Sequence, residues 1–304
     1  GMVNAVLRKV DTEAREVWAA SPPQKLPVWL RKPLHKAYGT DALAAIEAAH
    51  ERPAPLDLTP KPGVRVAGAE ALPTGSFRLA GAQVSALPGY EAGDWWVQDA
   101  AAALPVKLLG DISGHRVLDL CAAPGGKTMQ LAASGADVTA LDISEHRLAR
   151  VAENLARTRL KADLVAADLM TWQGGPFDAI VLDAPCSASG TIRRHPDLPF
   201  VKSADEVEAL TRLQMQMIDA ALGLLSPGGR MVYCTCSLLP NEGENQVKAA
   251  VKRHDTLTIL PTDPAPLGGD PHWASPEGGL RLRPDYWADR GGMDGFYMAL
   301  LQKA

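Results

Sequence analysis

"LDLCAAPGGKTMQLA", residues 118–132, is the stretch that decides the fold. It passes from an apolar, strand-like run through alanine, proline and two glycines into a lysine, a threonine and a helical pattern. In an open parallel sheet, ligands bind outside the carboxyl ends of the strands, and the turn after the first strand needs glycine so that its backbone can approach the ligand. The stretch therefore predicts a ligand-binding turn between a strand and a helix.

The chain around this turn alternates between strand-like and helical segments. The predicted strands are 116–121, 137–142, 163–167, 178–183 and 230–235, and two further strand-like runs at 256–260 and 295–302 complete a set of seven. The predicted helices are 126–134, 145–159, 205–225 and 241–253. Such alternation is typical of a mainly parallel sheet covered by helices on both faces. We predict an α/β fold with a doubly wound, Rossmann-like sheet.

The first 94 residues have a different character. Residues 5–50 read as helical, with breaks at "SPPQKLP" (21–27) and at Gly39, whereas prolines and glycines throughout 51–93 favour short strands and turns. We therefore predict three parts. They are a helical segment over 1–51, a small α+β module over 52–94 and a large α/β domain over 95–304.

Composition excludes several classes of protein. Of the 304 residues, 46% are hydrophobic, yet no run reaches the roughly 20 apolar residues of a membrane helix, and no signal peptide is recognisable. We expect a cytoplasmic protein that does not enter membranes. None of the four cysteines has the spacing of a zinc or redox motif. Cys121 and Cys234 lie within predicted strands and are expected to be small buried hydrophobes.

Charge gives no global sign of nucleic-acid binding. The net charge is −4, but the first 40 residues hold seven lysines and arginines against three acids. Such a local excess is either a solvated helix face or part of an RNA-contacting surface. The sequence leaves both interpretations open.

Acidic residues end three of the predicted strands. Asp142 lies about 20 residues after the glycines, where an acid can bind ribose hydroxyls. Asp168, at a neighbouring strand end, could accept a hydrogen bond from an adenine amino group, and Asp183 ends a third strand. The turn matches neither G-x-G-x-x-G nor a phosphate-binding P-loop, which disfavours dinucleotides and triphosphates. Adenosine without a polyphosphate indicates S-adenosylmethionine and a methyltransferase, with a purely structural turn as the alternative.

Two cysteines follow predicted strands. "FDAIVLDAPCSASGTIRRHPD" (177–197) places Cys186 after one strand, and "GRMVYCTCSLLPNEGENQV" (229–247) places Cys236 after another. Carbon 5 of a pyrimidine is not nucleophilic until a thiolate adds to carbon 6, and cysteine is the natural attacking group. A pair of thiols beside Asp183 is what methylation at carbon 5 requires, although a single cysteine at a strand end is more often structural.

Several motifs together resemble the RNA 5-methylcytosine methyltransferases of the Sun and RsmB type. They are "LDLCAAPGGKT", "LDIS", "LDAPCSASGTIRRHPD", "YCTCSLLPNEGEN" and "DGFYMALLQK", and "WWVQDAAAAL" (95–104) resembles the segment that precedes the catalytic sheet. The resemblance spans roughly 95–304. The first 50 residues resemble the end of a helical RNA-binding domain, most of which we expect to be absent here.

The resemblance implies a division of roles among the site residues. Cys236 would attack carbon 6 of cytosine, and Cys186 would assist release of the methylated product. Asp183 would hold the base, with Lys127 lining the same site. The cofactor S-adenosylmethionine would be bound by Ala122, Ala123, Pro124, Gly125, Gly126, Lys127, Asp142, Arg147, Asp168 and Asp183.

The resemblance also implies the substrate. We expect RNA, with small-subunit ribosomal RNA first and tRNA next, and a target cytosine that is unpaired or extruded. The alternatives are an RNA-binding assembly factor without turnover and a small-molecule methyltransferase. We expect a monomer that needs no metal ion. The loop from Arg193 to Pro196 is predicted to contact RNA backbone, with a general-base role for His195 as the alternative.

Overall fold

The computed structural model describes residues 1–22 and 24–304. It contains N-terminal helices, a small antiparallel sheet and a larger, mainly parallel sheet with helices on both faces. Within the described residues, no helix is both long enough and apolar enough to cross a membrane.

The N-terminal region is helical, as predicted. Its helices are α1 (Met2–Glu13), α2 (Arg15–Ala20) and α3 (Val28–His50). The described residues of the predicted break at 21–27 are non-helical, and Pro23 lies outside the described residues. Gly39 interrupts α3 with a φ of 82°, a left-handed conformation that glycine adopts readily. The buried residues Leu30 and Ile46 pack α3 against Leu238, which belongs to a loop of the large sheet.

The second region forms a four-stranded antiparallel sheet, which confirms the predicted strands and turns. Its strands, in the spatial order β2-β3-β1-β4, are β1 (Leu56–Pro60), β2 (Glu70–Ala71), β3 (Phe77–Leu79) and β4 (Trp95–Val97). A buried ion pair between Asp57 and Arg78, 2.7 Å long, joins β1 to β3. Since β4 lies beyond residue 94, the predicted division of the chain at that position stays a prediction.

The large sheet contains all seven predicted strands. Its helices are α4 (Ala100–Leu108), α5 (Gly126–Ala133), α6 (Glu145–Thr158), α7 (Leu198–Val201), α8 (Ala204–Leu224) and α9 (Glu244–Arg253). Its strands are β5 (Arg116–Leu120), β6 (Asp137–Asp142), β7 (Asp163–Ala166), β8 (Phe177–Asp183), β9 (Leu225–Thr235), β10 (Leu257–Leu260), β11 (Leu280–Leu282) and β12 (Phe296–Lys303). The short strand β11, which sequence analysis missed, pairs with β12.

The order of the strands in the sheet determines where a ligand cleft lies. The order is β10-β12-β9-β8-β5-β6-β7, in which β5 to β9 run parallel and β10 and β12 run antiparallel to their neighbours. The chain leaves β5 for β6 on one side and later returns to β8 on the other. Ligands of such sheets bind at this switch point, beyond the carboxyl ends of the strands.

Alternate residues of β5 explain why the sheet is covered on both faces. Leu118 and Leu120 face one side, in a core shared with Ile218 of α8. Val117 faces the other side, in a core shared with Leu104 of α4. Successive side chains of a strand point to opposite faces, so this apolar run is buried on both.

Candidate active site

Two adjoining cavities open at the carboxyl edge of the large sheet. Cavity I, about 420 Å³, lies between the turn after β5 and the segment that follows β4, and cavity II, about 300 Å³, lies beside the ends of β6 and β7. Four residues line both cavities: Cys121, Ala123, Asp183 and Cys236. The ends of the strands and the predicted nucleophile therefore meet at one place.

The predicted glycine turn has the required shape. Gly125 has a φ of 101°, in the left-handed region that favours glycine. Cys121, one residue past β5, has a φ of 60° and is half-buried. The prediction that Cys121 is a buried residue inside a strand is therefore wrong, because the chain turns one residue earlier than expected. Burial raises the pKa of the Cys121 thiol to about 12.

Asp142 ties this turn to the end of β6. Its carboxylate accepts hydrogen bonds from the N–H groups of Ala123, at 3.2 Å, and Ser144, at 3.0 Å. The Arg147 guanidinium lies 3.4 Å from the same carboxylate and donates to the carbonyl of Ala123 at 2.8 Å. The predicted residues Ala123, Asp142 and Arg147 are thus brought together on the wall of cavity II.

The rest of cavity II combines an acid with apolar walls. Asp168 lies just past β7, is exposed, and accepts a hydrogen bond from the N–H of Met170 at 2.9 Å. Ile143 and Met170 are large apolar side chains that remain 72% and 43% exposed, and both line this cavity. Apolar side chains together with an acid suit a flat apolar base with an amino edge, such as adenine.

A buried acid without a full set of partners lies in cavity I. Asp119 is fully buried, and its Oδ2 accepts a hydrogen bond from the Thr128 hydroxyl at 2.6 Å. Its Oδ1 has no hydrogen-bond partner among the described residues. Burial raises the pKa of Asp119 to about 7. A cationic amino group would satisfy this oxygen, and S-adenosylmethionine carries such a group, so the residues that line the two cavities fit this cofactor.

Asp183 and Lys127 form an ion pair where the cavities join. The Nζ of Lys127 lies 2.7 Å from Oδ2 of Asp183. Burial alone would lower the pKa of Lys127, but the negative charge of Asp183 outweighs it and raises that pKa above the ordinary value. Lys127 therefore stays a cation, and Asp183 keeps a partly exposed carboxylate.

The two predicted catalytic cysteines lie next to each other. Cys186 follows β8, Cys236 follows β9, and their Sγ atoms are 3.5 Å apart. Both side chains are half-buried, so each sulfur is within reach of cavity II. The hydrogen bond to Cys236, and then burial, raise the pKa of Cys186 well above its ordinary value. Cys186 therefore holds its proton and can donate it toward the sulfur of Cys236.

A match to a family model decides what kind of protein carries this site. Residues 106–302 match the family described as "16S rRNA methyltransferase RsmB/F". The chain belongs to the RsmB/F methyltransferase family. Membership confirms the predicted resemblance, the Rossmann-like fold and the enzyme class with S-adenosylmethionine as cofactor.

Individual relatives agree with the family match. The ribosomal RNA small subunit methyltransferase B of Pseudomonas putida is 38% identical over 330 residues, an alignment that covers the whole chain and 73% of that protein. The Vibrio cholerae protein of the same name is 43% identical over 226 residues, covering 72% of this chain and 49% of its own length. A solved methyltransferase homolog from Pyrococcus horikoshii has a TM-score of 0.74 and 27% identity, covering 90% of this chain and 94% of that one.

The arginines after Cys186 do not all serve as predicted. Arg193 is buried and forms ion pairs with Asp99, at 2.8 Å, and Asp294, at 3.1 Å. The prediction of an RNA-contacting loop is therefore wrong for Arg193, whose guanidinium is used inside the protein. Arg194 also pairs with Asp294 and is partly exposed in cavity I. His195 is exposed and lines neither cavity, so nothing in the geometry supports its role as a general base.

Sequence analysis missed part of the RsmB/F site. Cavity I is also lined by Trp96, Gln98 and Phe296. The Trp96 indole donates to Oε1 of Gln98 at 2.8 Å, and the Gln98 amide nitrogen donates to Gln130 at 3.3 Å. The sequence signal that could have indicated this part of the site is Gln98, a polar residue in the otherwise apolar segment that leads into α4. Among the described residues, no three His, Cys, Asp or Glu side chains are grouped as a metal site requires.

A glycine contact between two loops supplies a test of the site's packing. Gly190 donates its N–H to the carbonyl of Cys236 at 2.9 Å and accepts from the N–H of Gly295 at 2.8 Å. A Cβ at Gly190 would lie 1.9 Å from the carbonyl oxygen of Gly295. We expect Gly190→Ala to lower the free energy of unfolding by about 1–3 kcal/mol, as overpacking does.

Chemical denaturation with a helix glycine as control measures this effect. Gly223, in α8, is exposed and has nothing within 4 Å of an added Cβ. Gly223→Ala should therefore be neutral or stabilising by up to about 1 kcal/mol. Equal stabilities of the two variants would show that the loops are not packed as described.

Proposed function

We propose that this protein methylates carbon 5 of a cytosine in small-subunit ribosomal RNA, with S-adenosylmethionine as the methyl donor and Cys236 as a covalent nucleophile. The observation that carries the proposal is the pair of half-buried thiols, 3.5 Å apart, of which both line cavity II and Cys236 also lines cavity I. The names of the curated relatives support ribosomal RNA as the substrate.

The cofactor-binding role falls to the residues of cavity II and the turn. Asp142 would accept hydrogen bonds from the ribose, Asp168 would face the adenine amino group, and Asp119 would meet the amino group of the methionine part. The backbone of 122–126 would lie against the ligand, because its glycines permit close approach. When bound, S-adenosylmethionine supplies an electrophilic methyl group.

Cys236 begins the reaction on the base. Its thiol gives its proton to solvent, the thiolate forms a bond to carbon 6 of cytosine, and the electron pair of the 5,6 double bond makes carbon 5 nucleophilic. Lys127 and Asp183 hold the ring through its polar edge, which aims carbon 5 at the methyl group. Carbon 5 would then take the methyl group as the bond from that methyl to the donor sulfur breaks, and S-adenosylhomocysteine would be the leaving product.

Release restores both the ring and the enzyme. The proton leaves carbon 5 for solvent, the bond from carbon 6 to the Cys236 sulfur breaks, and the 5,6 double bond re-forms. Cys186 donates its proton to the departing sulfur of Cys236 across the 3.5 Å contact, and recovers a proton from solvent. Cys236 thus forms the bond to carbon 6, and Cys186 assists the cleavage of that bond.

The target base reaches Cys236 through cavity I. Attack on carbon 6 needs the face of the ring, so the cytosine must be unpaired or flipped out of its helix. The volume of about 420 Å³ lined by Trp96, Arg194 and Phe296 is large enough for one base.

We further propose that 1–51 and 52–94 contact the RNA around domain 95–304. We also propose a monomer, active without metal in the cytoplasm, where ribosomal RNA is the available substrate.

A methylation assay tests the proposal. The purified chain is incubated with S-adenosylmethionine and small-subunit ribosomal RNA that lacks the modification, and nucleosides are analysed by mass spectrometry. We expect 5-methylcytosine in ribosomal RNA and much less in a tRNA pool. Methylation of tRNA alone would refute the substrate assignment, and methylation at another atom would refute the chemistry.

Asp142 offers a separate test of cofactor binding. Asp142→Ala removes a buried carboxylate that would hold the ribose, and hydrogen bonds to charged groups contribute about 1.5–3 kcal/mol. We expect the Kd for S-adenosylmethionine to rise about 10- to 100-fold. Calorimetric titration measures it, with Asp137→Ala as control because Asp137 is exposed at the opposite end of the same strand. An unchanged Kd for Asp142→Ala would remove Asp142 from the cofactor site.

A further inference from the structure

A fully buried carboxylate lies behind the two cysteines. Glu242 belongs to the short helical turn 240–242 that follows β9, and its side chain has no exposed surface. It lines neither cavity. Burying a charged group is unfavourable unless hydrogen bonds replace its water, so the surroundings of Glu242 need an explanation.

Glu242 receives hydrogen bonds from both cysteine loops. Its Oε2 accepts from the hydroxyl of Ser187, at 2.5 Å, and from the hydroxyl of Ser237, at 2.6 Å. Its Oε1 accepts from the backbone N–H of Ser187 at 2.8 Å. Ser187 directly follows Cys186, and Ser237 directly follows Cys236. One carboxylate therefore binds the residue next to each thiol.

A glutamine completes the arrangement. Gln214 of α8 donates its amide nitrogen to Oε1 of Glu242 at 3.1 Å and to the carbonyl of Pro185 at 2.8 Å. The two serine hydroxyls are 3.1 Å apart. Four donors, none of them cationic, thus surround the carboxylate, and Gln214, Ser187 and Ser237 are themselves buried. The hydroxyl of Ser189 also lies 3.0 Å from that of Ser187 and 3.3 Å from that of Ser237. A buried polar network whose members are all satisfied is rigid.

The backbone of Glu242 also holds its own loop. The backbone carbonyl of Glu242 accepts from the hydroxyls of Tyr233, at 2.8 Å, and Thr235, at 3.1 Å, both in β9. Movement of Glu242 would therefore disturb the strand that delivers Cys236 as well as the loop that carries Cys186.

We propose that Glu242 is a positioning residue that fixes the separation of the Cys186 and Cys236 sulfur atoms by binding Ser187 and Ser237 with one carboxylate. The expected effect of Glu242 on catalysis rests on the proposed function. Its effect on the distance between the two sulfur atoms does not depend on methylation. It also gives a reason for a serine after each of the two cysteines.

The test uses the full chain and two measurements. The first is the rate at which hydrogen peroxide forms a Cys186–Cys236 disulfide without RNA, followed by peptide mass spectrometry. Peroxide oxidises one thiol to a sulfenic acid with loss of water, and the second thiol displaces a second water to form the disulfide. The second measurement is kcat and KM for ribosomal RNA methylation.

Glu242→Gln keeps the shape of the side chain and removes its charge and one acceptor oxygen. We expect disulfide formation to slow at least about tenfold and kcat to fall about 100-fold, because displacement of reacting groups by about 1 Å has effects of this size. The KM for S-adenosylmethionine should stay unchanged, since Glu242 lines neither cavity. Ser237→Ala removes one of the donors to Glu242, so it should lower the disulfide rate and kcat by smaller factors. This variant replaces Glu242→Gln in the test if Glu242→Gln does not fold.

Glu47→Gln is the matched control. Glu47 is another buried glutamate, which accepts from the N–H of Leu26 at 3.0 Å and from Arg31 at 2.9 Å, in α3 and the segment before it. A loss of stability without slower disulfide formation is expected for this variant. A folded Glu242→Gln or Ser237→Ala with the disulfide rate and kcat of the wild type would overturn the proposal. If the wild type makes no 5-methylcytosine but Glu242→Gln still slows the disulfide, the proposed function fails and the positioning role stands.

Discussion

Cys236→Ala is expected to make no detectable 5-methylcytosine, with kcat/KM at least about 10⁴-fold below the wild type. Losses of this size follow when a covalent nucleophile is removed, because the remaining groups cannot supply the same bond. In this protein the loss of activity also has a chemical reason. Without addition at carbon 6, carbon 5 of cytosine does not become nucleophilic, and burial alone still raises the pKa of Cys186, the thiol next to Cys236, so that it keeps its proton.

Two controls separate this effect from misfolding. The variant should bind S-adenosylmethionine with the Kd of the wild type, since Asp142 and the turn after β5 are untouched. Its unfolding midpoint should also change little, because Cys236 is only half-buried. A Cys236→Ala variant that methylates RNA at a tenth of the wild-type rate or more would show that the nucleophile is another group.

Cys186→Ala is expected to slow turnover by about 10²- to 10⁴-fold, the range for loss of a positioned proton donor. Its effect should differ in kind from that of Cys236→Ala. The bond from Cys236 to carbon 6 still forms, but its cleavage lacks the proton held by Cys186. A complex of protein and RNA that survives denaturant should therefore accumulate, and gel electrophoresis after incubation measures it.

The distinction decides which cysteine has which role. The high pKa of Cys186, caused by its hydrogen bond to Cys236 and by burial, fits a proton donor better than an attacking thiolate. Accumulation of the complex in Cys186→Ala, and its absence in Cys236→Ala, would agree with the assignment. Loss of the complex in Cys186→Ala, with its persistence in Cys236→Ala, would exchange the two roles.

Local patterns were enough to predict the sheet and the ends of its strands. The strand predicted at 178–183 is found at Phe177–Asp183, and the helix predicted at 205–225 is Ala204–Leu224. Buried parallel strands are continuous apolar runs, and the helix begins with a capping box formed by Ser203 and Glu206. Since the carboxyl ends of parallel strands meet at one edge, placing Asp183, Cys186 and Cys236 together followed from the same patterns.

Contacts between distant parts of the chain could not be predicted in this way. Arg193 reads as an exposed basic residue, but it pairs with Asp99 and Asp294, which are 94 and 101 positions away. Nothing local distinguishes a guanidinium that will be buried between two acids from one that faces solvent. Glu242 was missed for the same reason, because its partners Ser187 and Gln214 come from loops and helices that only the finished fold assembles.

The most direct measurement is to identify the residue that carries the RNA. Cys186→Ala is incubated with S-adenosylmethionine and unmodified ribosomal RNA, the denaturant-stable complex is digested with protease and nuclease, and the modified peptide is sequenced by mass spectrometry. We predict a methylated cytidine linked to Cys236. A link to Cys121 or Cys234, or continued methylation by Cys186→Ala without any linked species, would contradict catalysis through a Cys236–cytosine bond.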